Sequence, residues 1–289
     1  MCRLVAYLGH EVMLDDVLVK PLNSIVMQSL HARESSIPTN GDGFGVGWYN
    51  PDICPNPGLF KSISPAWNDS NLLHLTSKIK SPCFFAHVRA ASAGGVTHYN
   101  CHPFVQANWM MMHNGEVHNF IAVKRHIRHL LDDDIYNWIQ GETDSEHLFA
   151  LFLQLSKGKD LSDLSVAADV LQATIEKVTQ LIKEFSHAGP SYYNICITDG
   201  KRMLATRCCT SKRIPPETMH YSVGSRFVER KGRYHMLPFH ENAPAGSVLL
   251  ASEKLTDFEV EWHDVPPNHM IMVDSDLSIQ LRSLQGKII

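Results

Sequence analysis

The sequence predicts a layered α+β fold built on largely antiparallel sheets. Three observations carry this reading. Strand-like segments come first, helical ones fill the middle, and strands return in the last third of the chain, an order unlike an alternating βαβ series. The strand segments are short apolar runs broken by Gly, Pro, Asn and Asp signals. The chain has 289 residues, 44% hydrophobic and 19% charged, which is ordinary globular composition with enough apolar mass for a large core. No internal repeat or low-complexity linker divides it, so residues 2–289 are expected to form one domain.

Taken in order, residues 3 to 8 read as a strand, and 14 to 32 as a helix that Pro21 interrupts or restarts. In "NGDGFGVGWY", two turn signals lead into an alternating strand. This glycine cluster lacks GxGxxG spacing and runs into a strand, so it is no phosphate cradle; its small residues let a backbone or ligand come close. "SPAWNDSNLLHLTSKI" reads as a short helix and "CFFAHVRA" as a buried strand ending at Arg89. "WMMMHNGEV" is an apolar run that ends in a polar turn at Asn114-Gly115. "NFIAVKRHIRHLL", "TDSEHLFALFLQLS" and residues 164 to 186 have helical periodicity. The strands YYNICITD, KRMLATRC, MHYSVG, GSVLLASE and a pair around HMIMVDSDLSIQL follow, with "CTSKRIPPETMH" as a surface loop.

The formal net charge of -4 gives no footprint for nucleic acid or an anionic membrane. No apolar run reaches the roughly 18 residues of a membrane span, and Asp15 and Asp16 come too early for a signal peptide. Seven cysteines, with no CxxC pair, suggest a reduced, cytoplasmic protein. There are 17 histidines, and His126 and His129 share a helix face; without HExxH or a second ligand cluster they read as exposed helix residues, and no metal or cofactor is expected.

Cys2 is the first candidate for chemistry. A free thiol, with pKa about 8.5, needs a base, and an α-amine of pKa about 7.7–8.0 is partly unprotonated near neutrality. Once Met1 is removed, as aminopeptidase processing before a small second residue allows, Cys2 carries both groups and its amine can activate its thiol. An inert cysteine is the competing reading. Arg89, closing a buried strand, suits bidentate capture of a carboxylate, or pairing with a structural acid. Asn114 and Gly115 offer an amide and a backbone N–H for an oxyanion hole, or an ordinary hairpin turn. Asp144 could take an ammonium group; equally, it lies in a capping box formed by Thr143 and Glu146. Together they describe a receptor for a γ-glutamyl group beside a scissile amide. A Cys101/His102 dyad is a rival nucleophile, disfavoured because neighbours on a strand point to opposite faces.

"MCRLVAYLG", "NGDGFGVGWY", "FFAHVRAAS", "NCHPF", "MHNGEVHNF" and "GETDSEH" together resemble the class II glutamine amidotransferases of the N-terminal-nucleophile hydrolase superfamily, in that family's order. "KSISPAWNDSNL" and "LLASEKLTDFEVEWHDVPPNHMIMVD" are most similar to the small stand-alone branch, which includes a fungal glutathione-degrading amidotransferase subunit and a γ-glutamyl amidohydrolase of the bacterial ergothioneine pathway. The resemblance implies a four-layer αββα sandwich. It implies Cys2 as nucleophile with its own amine as base, Asn114 and Gly115 as oxyanion hole, Arg89 on the substrate α-carboxylate and Asp144 on its α-ammonium. Gly43 to Gly47 and His102 would line the pocket, and Ser252 and Glu253 would meet the leaving group. The implied activity is hydrolysis of a γ-glutamyl amide through a thioester, on glutathione, a related compound or glutamine, with or without a partner peptidase. The alternatives are a glutaminase subunit feeding ammonia to a separate synthase, for which 289 residues leave no room in the chain itself, and a non-catalytic γ-glutamyl-binding paralogue.

Overall fold

The computed structural model describes residues 2–91, 94–187, 189–238, 246–258 and 261–284. The chain opens with β1 (Arg3–Met13), α1 (Leu14–Leu18) and α2 (Ile25–Leu30), then β2 (Phe44–Asn50), β3 (Cys54–Ser62), α3 (Ser70–Thr76) and β4 (Lys80–Val88). The strands β5 (Phe104–Gln106) and β6 (Trp109–Glu116) lead into α4 (Phe120–Arg128), α5 (Asp133–Trp138), α6 (Asp144–Ser156) and α7 (Leu164–Phe185). The remainder is β7 (Tyr192–Thr198), β8 (Met203–Arg207), β9 (His220–Gly224), β10 (Arg226–Arg230), β11 (Arg233–Leu237), β12 (Ser247–Ala251), β13 (His263–Asp264), β14 (His269–Val273) and β15 (Ile279–Ser283).

Two sheets form, ordered β13-β9-β12-β1-β4-β2-β3 and β15-β14-β8-β7-β6-β5, with β10 and β11 as a separate hairpin. The alternation along each strand explains how they stack. From β1, Leu4, Ala6 and Leu8 point inward to meet Met110, Met112, Cys196, Ala205 and Ile271 of the facing sheet. Val5 and Tyr7 point the other way, onto Leu14, Val17, Ile25 and Leu72 of α1–α3. On the second sheet Met111, Ile195, Ile197 and Met272 pack against α4, α6 and α7. Apolar stripes on both faces of both sheets therefore give a helix–sheet–sheet–helix sandwich, as the resemblance implied. Each fully buried Leu or Ile in these seams contributes about 1.5–3 kcal/mol.

Local departures have local causes. The helix expected over 14–32 divides into α1 and α2, because Pro21 cannot donate and Ser24 restarts the helix by accepting the Met27 N–H at 3.3 Å. Asn114-Gly115 is not a turn. Both residues lie inside β6, opposite Asn194 and Tyr193 of β7, and the space where Gly115 would carry a Cβ is filled by the Tyr192 carbonyl and the His113 ring. The unforeseen β3 contains Pro55 and Pro57, which an edge strand tolerates. Beyond it, α5 and the β10–β11 hairpin were also not anticipated.

The first strand is fixed at its start by a buried ion pair. Arg3 and Glu253 are both 0% exposed and meet at 3.3 Å, with Glu217 at 3.7 Å on the other side of the guanidinium. Arg3 Nε also donates to the Cys2 carbonyl at 2.7 Å. Nearby, three buried histidines lie between the layers. The His87 and His102 rings pack at a 38° tilt with centroids 4.1 Å apart, and His87 Nε2 reaches the His113 carbonyl at 3.2 Å. Burial pushes all three rings below the ordinary histidine range, His87 to about 3.

Two expectations follow from these buried charges. Replacing Glu253 by Gln removes the nearest charge facing the buried Arg3 guanidinium, so urea unfolding should show a loss of about 3 kcal/mol; a loss below about 1 kcal/mol would show the pair to be dispensable. The histidines make the fold acid-sensitive. As pH falls below about 6.5 the unfolded chain takes up protons that the folded rings refuse, so stability drops down to the folded pKa, by about 2 kcal/mol at pH 5 for His87 alone. Melting temperatures between pH 7 and pH 5 should therefore fall, and His102→Phe should flatten that slope.

Candidate active site

The residues singled out from the sequence gather where strand ends meet. Because β1 runs antiparallel to β4 and β12, the start of β1 lies beside the ends of both. Cys2 thus sits next to Arg89, which follows β4, and Leu4 lies opposite Ser252, which follows β12. Its Sγ accepts the Ala90 N–H at 3.3 Å and lies 3.4 Å from the Ala90 carbonyl. Burial raises the thiol pKa, while the Ala90 contact and the charges of Arg89 and Arg3 pull it the other way. Met1 lies outside the described residues.

From the facing sheet comes the end of β6. The Ser252 hydroxyl accepts both the Leu4 N–H at 3.1 Å and the Asn114 Nδ2 at 3.4 Å, so one oxygen ties the strand that follows Cys2 to the oxyanion candidate. Asn114 is fully buried, and its Oδ1 has no hydrogen-bond partner among the described residues. Beyond Gly115, the Val117 N–H donates to Asp144 Oδ2 at 2.7 Å, which brings the first residue of α6 to the same place. Thr143 caps α6 by accepting the Glu146 N–H at 3.2 Å. The capping box is only half formed. The Glu146 carboxylate turns instead to the N–H groups of Gln140 and Gly141, at 3.0 and 2.7 Å.

Arg89 is buried, and its guanidinium donates to the carbonyls of Gly95 and Gly94 at 3.0 and 3.4 Å. Asn100 links that loop to the one before α6, donating to the Gly95 carbonyl at 2.8 Å and accepting the Glu142 N–H at 2.9 Å. Gly43, at φ +106°, supports Arg89 through its backbone: its carbonyl accepts the Arg89 N–H at 2.9 Å, and Cys101 Sγ and the Ser62 carbonyl crowd its Cβ position. Gly45 gives way to the His102 carbonyl, so the small residue admits a backbone there.

Cys2, Arg89, Asn114, Gly115 and Asp144 are therefore linked through short contacts. His102 and Glu253 sit differently. The His102 ring is enclosed between His87 and Phe104, with neither nitrogen hydrogen-bonded among the described residues. The Glu253 carboxylate serves Arg3 and accepts the N–H groups of Arg33 and Glu34 at 2.9 and 3.0 Å. Cys101 Sγ faces the Thr97 and Ser62 carbonyls. His126 stacks on Phe185 at 3.6 Å, and no cluster of three or more His, Cys, Asp or Glu among the described residues could hold a metal ion. Two contributors escaped sequence reasoning, Arg3 and His113, although a charged and a polar residue inside apolar strands was a readable signal.

Comparison with known proteins identifies the family. The family profile of class-II glutamine amidotransferases matches residues 1–285. The probable glutamine amidotransferase DUG3 of Saccharomyces cerevisiae is 36% identical, over 94% of this chain and 82% of its own. The γ-glutamyl-hercynylcysteine sulfoxide hydrolase of Mycolicibacterium smegmatis is 25% identical, over 94% and 96%. In fold, the chain is similar to a protein from Silicibacter pomeroyi described as a glutamine aminotransferase class-II domain protein, at a TM-score of 0.65 and 23% identity over 98% of this chain and 99% of that one. It is also similar to the Bacillus subtilis glutamine phosphoribosylpyrophosphate amidotransferase, at a TM-score of 0.60 and 15% identity over 99% of this chain and 50% of that one. No helix among the described residues is long and apolar enough to cross a membrane. The chain belongs to the class-II glutamine amidotransferases, enzymes of the hydrolase and amidotransferase type.

Proposed function

We propose that this chain hydrolyses a γ-glutamyl amide with Cys2 as nucleophile, once Met1 has been removed. One observation carries the reading: Cys2 Sγ is fixed against Ala90, next to Arg89, while the Ser252 oxygen that holds β1 also holds Asn114. Similarity to a γ-glutamyl sulfoxide hydrolase and to DUG3 supports it.

In this account Arg89 holds the substrate α-carboxylate and Asp144 its α-ammonium, leaving the amide carbonyl at the thiol. Burial disfavours the thiolate, so the α-amine of Cys2 must take the thiol proton as sulfur attacks. The carbonyl oxygen becomes an oxyanion that receives hydrogen bonds from Asn114 Nδ2 and the Gly115 N–H. Collapse breaks the C–N bond; the leaving nitrogen takes the proton from the Cys2 ammonium, and a γ-glutamyl thioester remains. Water then attacks that thioester, giving its proton to the amine, and glutamate leaves with the thiol restored. His102 lines the wall behind Gly45, and Glu253 acts through Arg3.

The test pairs intact-mass analysis of the protein with a turnover panel of glutathione, glutamine and other γ-glutamyl amides. Hydrolysis of a γ-glutamyl peptide by protein lacking Met1 is expected. Preference for glutamine with dependence on a synthase would point to an ammonia-supplying subunit, and binding without turnover to a paralogue without activity. Cys2→Ala should lower kcat by at least about 10³-fold with an unchanged melting temperature; full activity there would reject the assignment. Arg89→Lys, which loses the planar fork, should raise KM about tenfold or more while kcat changes less.

A further inference from the structure

A hydrogen-bonded chain that the chemistry above does not use joins the two ends of the site. His113 immediately precedes Asn114 on β6 and is fully buried. Its Nε2 lies 2.9 Å from the Tyr192 carbonyl, an acceptor only, so that nitrogen carries a proton and donates it. Its Nδ1 is then an acceptor, so the one proton of the Ser145 hydroxyl is shared between that nitrogen, 2.9 Å away, and Asp144 Oδ1, the more distant acceptor at 3.3 Å. The same carboxylate oxygen accepts the Ser145 N–H at 2.8 Å, while the other accepts the Val117 N–H at 2.7 Å.

The consequence is orientational. A carboxylate at the start of a helix normally turns about two side-chain bonds. Here each oxygen has a fixed backbone donor, and the hydroxyl beside one of them is held by a ring with little room to rotate. Both ring nitrogens are engaged, Tyr193 stacks against the ring with centroids 6.2 Å apart, and the ring fills the Cβ space of Gly115. This adds a reason for glycine at 115: a side chain there would displace the ring. His87 also donates to the His113 carbonyl at 3.2 Å, which ties the chain to β4, the strand leading into Arg89.

We propose that His113 and Ser145 are positioning residues for substrate recognition. They hold the Asp144 carboxylate in the orientation that receives an α-ammonium, in register with the oxyanion donors at Asn114 and Gly115. The inference rests on the reading that Asp144 binds the α-ammonium, and it separates amino-acid-like γ-glutamyl compounds from glutaryl compounds that lack that group.

The test uses binding, which does not require turnover. L-Glutamate and glutarate, which differ by the α-ammonium, are titrated calorimetrically into wild-type protein, Ser145→Ala, His113→Leu and His113→Asn. Wild type should prefer glutamate. Ser145→Ala should weaken glutamate about tenfold and leave glutarate within about twofold. His113→Leu should copy that loss, and His113→Asn, which returns a polar group near the Nδ1 position, should recover part of it. Equal weakening of both acids, or none in Ser145→Ala, would overturn the proposal, as would a wild type indifferent between them. Wild type that prefers glutamate yet hydrolyses no γ-glutamyl amide would reject hydrolysis while the Ser145→Ala comparison still decides the anchor.

Discussion

The contact between Arg3 and Glu253 is the constraint on which the site depends. Two charges with no exposure to solvent stand at the start of β1 and just past the end of β12. Such a pair gains little over an apolar one, yet neither partner can be removed cheaply, so it specifies an arrangement more than it stabilises one. What it specifies is the position of residue 2. Arg3 occupies the Cys2 carbonyl, and Ser252 exchanges hydrogen bonds with both the N–H and the carbonyl of Leu4. The same Glu253 carboxylate draws in the backbone of Arg33 and Glu34 and the Asn23 amide, so the loop after α2 is secured by the ion pair as well.

From that fixed point the site assembles through backbone far more than through side-chain pairs. The Cys2 sulfur reads the Ala90 backbone, Arg89 reads two loop carbonyls, and Asp144 reads the Val117 N–H. Two packed sheets bring these backbones together because each presents a strand end at the same edge of the sandwich. The helices of the outer layers bury the opposite faces and contribute one carboxylate, from the first turn of α6, where the helix dipole favours a negative charge.

Much of this was legible in the sequence. The layered order of strands and helices and the apolar runs such as CFFAHV gave the architecture, because a strand buried on both faces has a continuous apolar signature. The chemistry-bearing residues could be named because each stands at the polar end of such a run. What escaped was register and pairing. Asn-Gly is a strong turn signal in isolation, but at 114–115 the ladder to β7 continues through Glu116, and the glycine meets a packing demand. Glu253 lies beside Ser252 in sequence, yet alternation along the chain sends it to Arg3. The role of Glu146 was also hidden, since nothing local says that its carboxylate prefers the Gln140–Gly141 backbone to the reciprocal half of a capping box. Long-range partners of this kind are fixed by tertiary packing, which sequence spacing does not encode.

The most direct measurement is a rapid acid quench of the processed protein during turnover of a γ-glutamyl amide, followed by peptide mapping of the trapped thioester. The γ-glutamyl group should be found on Cys2 in the amino-terminal peptide, and on none of the other six cysteines. An acyl group on Cys101, or turnover by protein that still carries Met1, would contradict the account.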